Sequence, residues 1–181
     1  MRERYVALFR GINVGKAKRI AMADLRALLE SLGYTRVRTL LNSGNAVFDG
    51  PKVATAKHAQ RIQAAVLAEL GVDALVIVRS AADVNAAIDG NTLRDIATDP
   101  SRLLIAFAKD APSLDALQSM ADAGWGAELM HVGQHAAYVW CANGILESKV
   151  AVAVLKNLAQ SGTTRNASTV EKIRVLMKGA D

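Results

Sequence analysis

Cysteine is nearly absent. Cys141 is the single one in 181 residues, so no disulfide can close within the chain. Aromatic residues are scarce as well, at 4%, which leaves the core to aliphatic side chains and alanine. Proline occurs three times, and no stretch rich in Pro, Gly and Ser separates the first half of the chain from the second. No apolar run reaches the ~20 residues that a bilayer-spanning helix needs; the apolar stretch Val150–Leu155 suits a core helix. The opening segment MRERYVALFRGINVG sets charges and glycines inside a short apolar stretch and makes a poor signal peptide. These absences lead us to expect a cytoplasmic protein with no membrane partner.

What is present is apolar enough to fold. The hydrophobic fraction is 51%, above the range in which a chain fails to offset its ordering entropy. The length suits one domain or two small halves. The net charge of +5 is confined to residues 1–50, which hold nine Lys/Arg and four Asp/Glu; residues 51–181 hold thirteen of each sign. A local basic excess fits an anionic partner and equally fits a solvated surface kept for solubility.

The order of elements follows from periodicity and punctuation. Tyr5–Phe9 reads as a strand. Ala21–Leu32 has helical spacing at Met22, Leu25, Leu28, Leu29 and Leu32, and Gly33 ends it. Arg36–Leu41 and Ala46–Phe48 read as strands joined by Asn42-Ser43-Gly44-Asn45, a hairpin signal. Val53–Leu70 is a helix with Ile62, Val66 and Leu70 on one stripe, and Ala74–Val78 a strand. That order, β-α-β-β-α-β, is the ferredoxin-like arrangement.

Further on we expect a helix over Ala82–Ile88, a helical turn near Thr92–Ala97, a strand Leu103–Ala108 and a helix Ser113–Ala123 capped by Ser113. A hairpin Glu128–Val132/His135–Cys141 and a helix Ser148–Ala159 follow, the helix apolar nearly all round and so deeply buried. This second half lacks the last strand of the unit. A final helix Thr169–Lys178 opens on the capping box Ser168/Glu171. The fold class is therefore α+β: two ferredoxin-like halves, 1–80 and 81–181, packed together, with an extra C-terminal helix. The strands Val6–Phe9 and Leu103–Ala108 are apolar on both faces, so both faces should be covered.

Two motifs carry candidate chemistry. The loop Arg10-Gly11-Ile12-Asn13-Val14-Gly15-Lys16-Ala17-Lys18-Arg19 joins a strand to a helix and holds two glycines and four cations. Backbone N–H groups of such a loop, with a helix N-terminus beyond, can hold an anion. It is not a Walker A loop: Gly11 and Gly15 stand one residue too close, and Ala17 has no hydroxyl for Mg²⁺. The second motif, Asn42–Asn45, is first a turn, since Gly and Asn tolerate positive φ. In a β-α-β-β-α-β unit, however, the end of strand one and the turn between strands two and three share one sheet edge. The two motifs should meet there.

Other signals are weaker. An RNA-recognition module of the same order stacks bases on aromatics of its first and third strands; here Tyr5 and Phe9 have only Phe48 opposite, without the K/R-G-F/Y-G/A-F pattern. Backbone-only binding to nucleic acid stays open. Thr163–Ser168 places Arg165 and Asn166 before the last helix, as recognition groups or as a capping segment. His131 and His135 flank a turn without acidic or thiol co-ligands, which is no metal site. Cys141 has no foreseeable histidine partner and reads as a buried strand-end residue. No catalytic triad, carboxylate pair, metal or cofactor site is evident.

At these residues the chain resembles the bacterial domain-of-unknown-function 1697 family. The resemblance is carried by Tyr5–Gly15 (YVALFRGINVG), Met22–Arg26 and Val37–Phe48 (VRTLLNSGNAVF), and it covers essentially the whole chain. The family's signature is an RGINVG loop, an SGN turn and a T-x-R-N-W segment. Arg10, Gly11, Asn13 and Gly15 match the first, Ser43, Gly44 and Asn45 the second, and Thr163, Arg165 and Asn166 the third. Two positions depart: Lys16 stands where a third glycine is frequent, and Ala167 where the family has Trp. The resemblance implies duplicated ferredoxin-like folds and supplies no activity.

The expected function is thus binding of a phosphate-bearing small molecule or nucleic acid at the edge. The binding residues would be Arg10, Gly11, Asn13, Gly15, Lys16, Ser43, Gly44, Asn45, Arg165 and Asn166. Two alternatives remain at this point: an enzyme of unidentified class using the same polar groups, and a structural or protein-interaction role in which those groups satisfy crossing loops.

Overall fold

The computed structural model describes residues 1–179. The chain divides into two units, Met1–Ala82 with the residues from Ile173 onward, and Asp83–Lys172.

The first unit runs β1 (Arg2–Phe9), α1 (Met22–Ser31), β2 (Thr35–Leu40), β3 (Asn45–Pro51), α2 (Thr55–Leu70) and β4 (Val76–Ser80). Its sheet is antiparallel in the order β2-β3-β1-β4, as the ferredoxin-like order requires. In β1, Leu8 pairs with Asn45 at one end and Arg2 with Pro51 at the other. The start of β3 therefore lies beside the end of β1. Leu25, Leu28 and Leu29 of α1, and Ile62 and Val66 of α2, bury against Tyr5, Ala7, Phe9, Ala46 and Phe48. Each such leucine, isoleucine, valine or phenylalanine contributes about 1.5–3 kcal/mol when fully buried. Val6, Leu8 and Val47, on the opposite face of the strands, are at most 1% exposed, so both faces of β1 are buried. Gly71 ends α2 in the left-handed region, donating its N–H to Leu67 O at 3.1 Å.

The second unit begins with α3 (Ala81–Asp89), which the division cuts near its start. It continues with β5 (Leu103–Ala108), α4 (Ala111–Asp115), α5 (Gln118–Ala121), β6 (Leu129–Val132), β7 (Ala137–Trp140), α6 (Lys149–Leu158) and β8 (Gly162–Asn166). Its antiparallel sheet has the order β6-β7-β5-β8, so it repeats the plan of the first. The last helix, α7 (Ala167–Lys178), starts in this unit and ends in the first.

Four expectations are corrected here. The strand thought missing is β8, which pairs with β5, Ile105 opposite Arg165. It escaped because its buried positions carry Thr163 and Arg165 instead of apolar residues. The cap of α7 is Asn166, whose Oδ1 accepts from Thr169 N at 2.8 Å, and not Ser168. The helix expected over Ser113–Ala123 is two short ones, and Asp110, not Ser113, caps the first. α6 is buried along Val150, Ala151, Val154 and Leu158 only; Val152 is 64% exposed, because alanine and valine fill the outer face as readily as the inner. Among the described residues no helix is long and apolar enough to cross a membrane.

Candidate functional site

The chain leaves β1 between two neighbours. Phe9 N donates to Gly44 O at 2.9 Å, and Arg10 N donates to Leu75 O at 3.0 Å. Ile12 then turns inward and is 1% exposed. It lies so close under the hairpin that a Cβ on Gly44 would meet Ile12 Cδ1 at 2.6 Å and Phe9 Cβ at 2.8 Å. Gly44 also has a φ of +91°, in the region where side chains are strained. Both facts require glycine there.

Asn13 closes the neck of the loop. Its backbone is left-handed, at a φ of +56°, a conformation asparagine tolerates. Its side chain pairs with the backbone of Ile20: Oδ1 accepts from Ile20 N at 2.8 Å and Nδ2 donates to Ile20 O at 2.9 Å. The same Nδ2 donates to Asn42 O at 2.8 Å. One amide thus shuts the loop 13–20 and ties it to the hairpin turn. Asn45, fully buried, does a parallel task within the turn, with Nδ2 donating to Leu40 O at 2.7 Å and to Ser43 Oγ at 3.3 Å.

These braces leave the loop's crest in water. Gly11, Gly15, Lys16, Lys18 and Arg19 are exposed, and Arg10 is half-buried. Burial pushes the Arg10 pKa below the ordinary arginine value. Arg19 Nη1 donates to Gly15 O at 3.1 Å and steadies the crest. Where loop and turn meet, a cleft of about 350 Å³ is lined by Asn13, Arg19, Ile20, Ala21 and Asn42.

The cleft lies at the start of α1. Ala21 holds the cap position and makes no side-chain hydrogen bond, since a methyl group cannot accept. The first-turn N–H groups of α1 therefore have no cap side chain over them, and they carry the positive end of the helix dipole. Asp24 in the first turn is the one acidic group there. Such a start, beside an arginine, has the charge and donor set for an anion.

The expected residues sort into two kinds. Asn13, Gly44, Asn45 and Ser43 build the edge; Lys16 and Arg10 present charge on it, with Gly11 and Gly15 giving the loop its left-handed turns. Arg19 and Asn42, which end and begin the two motifs, line the cleft but are not among the expected binding residues, and Ala21, which also lines it, lies outside both motifs. The signal that could have found Ala21 is an alanine where a Ser, Thr, Asp or Asn cap would ordinarily stand.

Arg165 and Asn166 belong to the second unit. Arg165 is 8% exposed, its Nη1 donating to Thr163 Oγ1 at 3.1 Å and Thr164 O at 2.8 Å. Burial lowers its pKa to about 10. Asn166 serves as the cap of α7, and Ala167 is that helix's first residue. His131 and His135 lie on the β6–β7 hairpin and Cys141 is buried just after β7. Among the described residues no three His, Cys, Asp or Glu side chains gather as a metal site would require.

Comparison with known proteins agrees with this architecture. Over 98% of this chain and 100% of the other, the fold matches the conserved bacterial protein SP0830 from Streptococcus pneumoniae, with a TM-score of 0.80 and 23% identity. No curated protein matches the chain. A family model described as "Protein of unknown function (DUF1697)" matches residues 2–138, and the chain belongs to that family.

Proposed function

We propose that this member of the DUF1697 family binds a phosphate-bearing ligand in the cleft between the Asn13–Ile20 loop and the Asn42 turn. One observation carries the reading: Ala21, the cap residue that leaves the start of α1 without a capping side chain, lines a cleft of about 350 Å³ together with Arg19. Main-chain N–H groups of α1 and Arg19 hold the phosphate, and Lys16, Lys18 and Arg10 supply the surrounding positive field. Asn13 and Asn45 act on the ligand only through the loops they hold, because their amides are engaged with the backbone. The basic excess of residues 1–50 supports the same reading.

The test titrates the chain with pyrophosphate, a nucleoside triphosphate and a short single-stranded oligonucleotide, following amide chemical shifts. Shifts are expected to cluster in residues 13–24 and at Asn42. Replacing both Lys16 and Arg19 by alanine is expected to weaken binding at least about tenfold, the loss of ~1.4 kcal/mol. A nucleic-acid ligand would show affinity falling steeply with salt, and a small phosphate compound a shallower fall. Silence from all three probes, or unchanged binding by the double variant, would refute the reading.

A further inference from the structure

The far end of the first sheet holds a histidine in an unusual setting. His58, in the first turn of α2, is 2% exposed. Its Nε2 lies 3.0 Å from Pro51 O and its Nδ1 2.9 Å from Tyr34 Oη. A carbonyl oxygen only accepts, so Nε2 bears the hydrogen. Nδ1 of the neutral ring then has only a lone pair, and the Tyr34 hydroxyl must donate to it. The Arg61 guanidinium donates to the same hydroxyl oxygen, so the hydroxyl accepts from Arg61 and gives its own hydrogen to His58.

The ring is also enclosed. Tyr5, Tyr34 and Phe48 stand 4.5, 5.4 and 5.8 Å away between centroids. A Cβ on Gly50 would come within 2.9 Å of His58 Cε1 and 3.0 Å of Tyr34 Cε1. Neutral His58 thus joins α2 to the last residue of β3 and to the residue before β2. A second ring proton would force the hydroxyl to turn round and accept from the ring, and would place a second cation beside Arg61 inside an aromatic enclosure.

We propose that His58 is a proton-controlled latch, holding the start of α2 and the end of β3 on the sheet while neutral and releasing them when protonated. The groups facing it set the balance. From β1, Glu3 favours the charged ring, and its carboxylate accepts from Tyr5 Oη at 2.9 Å. From α2 itself, Arg61 opposes it. From β3 come Phe48 and Pro51, which carry no charge, and the residue ahead of β2 is Tyr34. Burial is the largest influence and holds the His58 pKa below its ordinary value. The sign follows: stability from the latch is complete above ~6.5, the unfolded value, and is lost as pH falls through the folded one.

The full-length chain tests this by NMR. The His58 ring is expected to titrate below ~6.5. In the same pH range, amide protection corrected for intrinsic exchange should be lost over residues 48–62 while it persists at Asn13–Ile20. Titration of His58 at the ordinary value, or loss of protection spread evenly over the molecule, overturns the proposal. The chain has three histidines, so a second form carrying His131→Gln and His135→Gln, both on the β6–β7 hairpin of the second unit, isolates the effect. It must keep the whole pH response, and a response that vanishes there also overturns the latch.

Discussion

The two ends of the first sheet are held by different means. At the end where Leu8 meets Asn45, neutral amides and left-handed backbone do the work. Asn13 and Asn45 satisfy backbone groups and add no charge, which leaves Lys16, Lys18 and Arg19 uncompensated by the braces themselves. At the end where Arg2 meets Pro51, ionisable groups are the fasteners. Asp49 sits between Arg4 Nη1 at 3.0 Å and Arg36 Nε at 2.6 Å. Arg2 donates to Gly33 O and to Asp49 O, both at 2.9 Å, and His58 lies in its aromatic enclosure. The loop end is braced by groups that do not titrate. The other end is fastened by groups that do, so only there can a change of pH loosen the hold.

Substitutions can break this contrast. The largest effect is expected at the loop end from Gly44→Ala, where a methyl group enters occupied space at positive φ. A loss of about 3–4 kcal/mol should appear as a lowered urea midpoint. At the other end, Asp49→Asn leaves the Arg4 guanidinium, only 11% exposed, without its countercharge. We expect about 2–3 kcal/mol, discounted because Arg36 is 47% exposed. The other groups that accept from Arg4, Arg36 O and Leu176 O, are neutral carbonyls and supply no countercharge. Wild-type stability should also decline with acid as Asp49 protonates: burial alone would raise its pKa, but Arg36 and Arg4 together outweigh it and hold the value below the ordinary carboxylate one, so its contribution is present above ~3.9 and lost below it. The variant should lack that limb of the curve.

Asn13→Asp sharpens the comparison most economically. The shape is kept and Oδ1 still accepts from Ile20 N, but both donated bonds become carboxylate-against-carbonyl contacts. About 2 kcal/mol is expected, together with faster amide exchange confined to residues 14–19. An exchange increase reaching Pro51 or His58 would mean that the two ends are not separately held.

How legible the molecule was in its sequence depends on what each residue displays. The first unit could be read because glycines punctuate it and leucines mark α1 at helical spacing. The meeting of the two loops followed from element order alone, and the Asn13–Asn42 bond is its physical form. β8 could not be read, since its buried face is Thr163 and Arg165 and polarity disguised a strand as a loop. The cleft was hidden because its defining residue, Ala21, offers no side chain that could advertise an open helix start. His58 stands four residues before Ile62, on the buried stripe of α2, yet a histidine among apolar positions breaks the pattern that reveals the others.

The division of the chain bears on how it is made. Residues from Ile173 onward belong to the first unit, where Arg4 Nη2 donates to Leu176 O at 3.4 Å. The second unit is one continuous segment and the first is not. During synthesis the part made later can therefore finish first, and the part begun first stays incomplete until the ribosome has delivered the last helical turns.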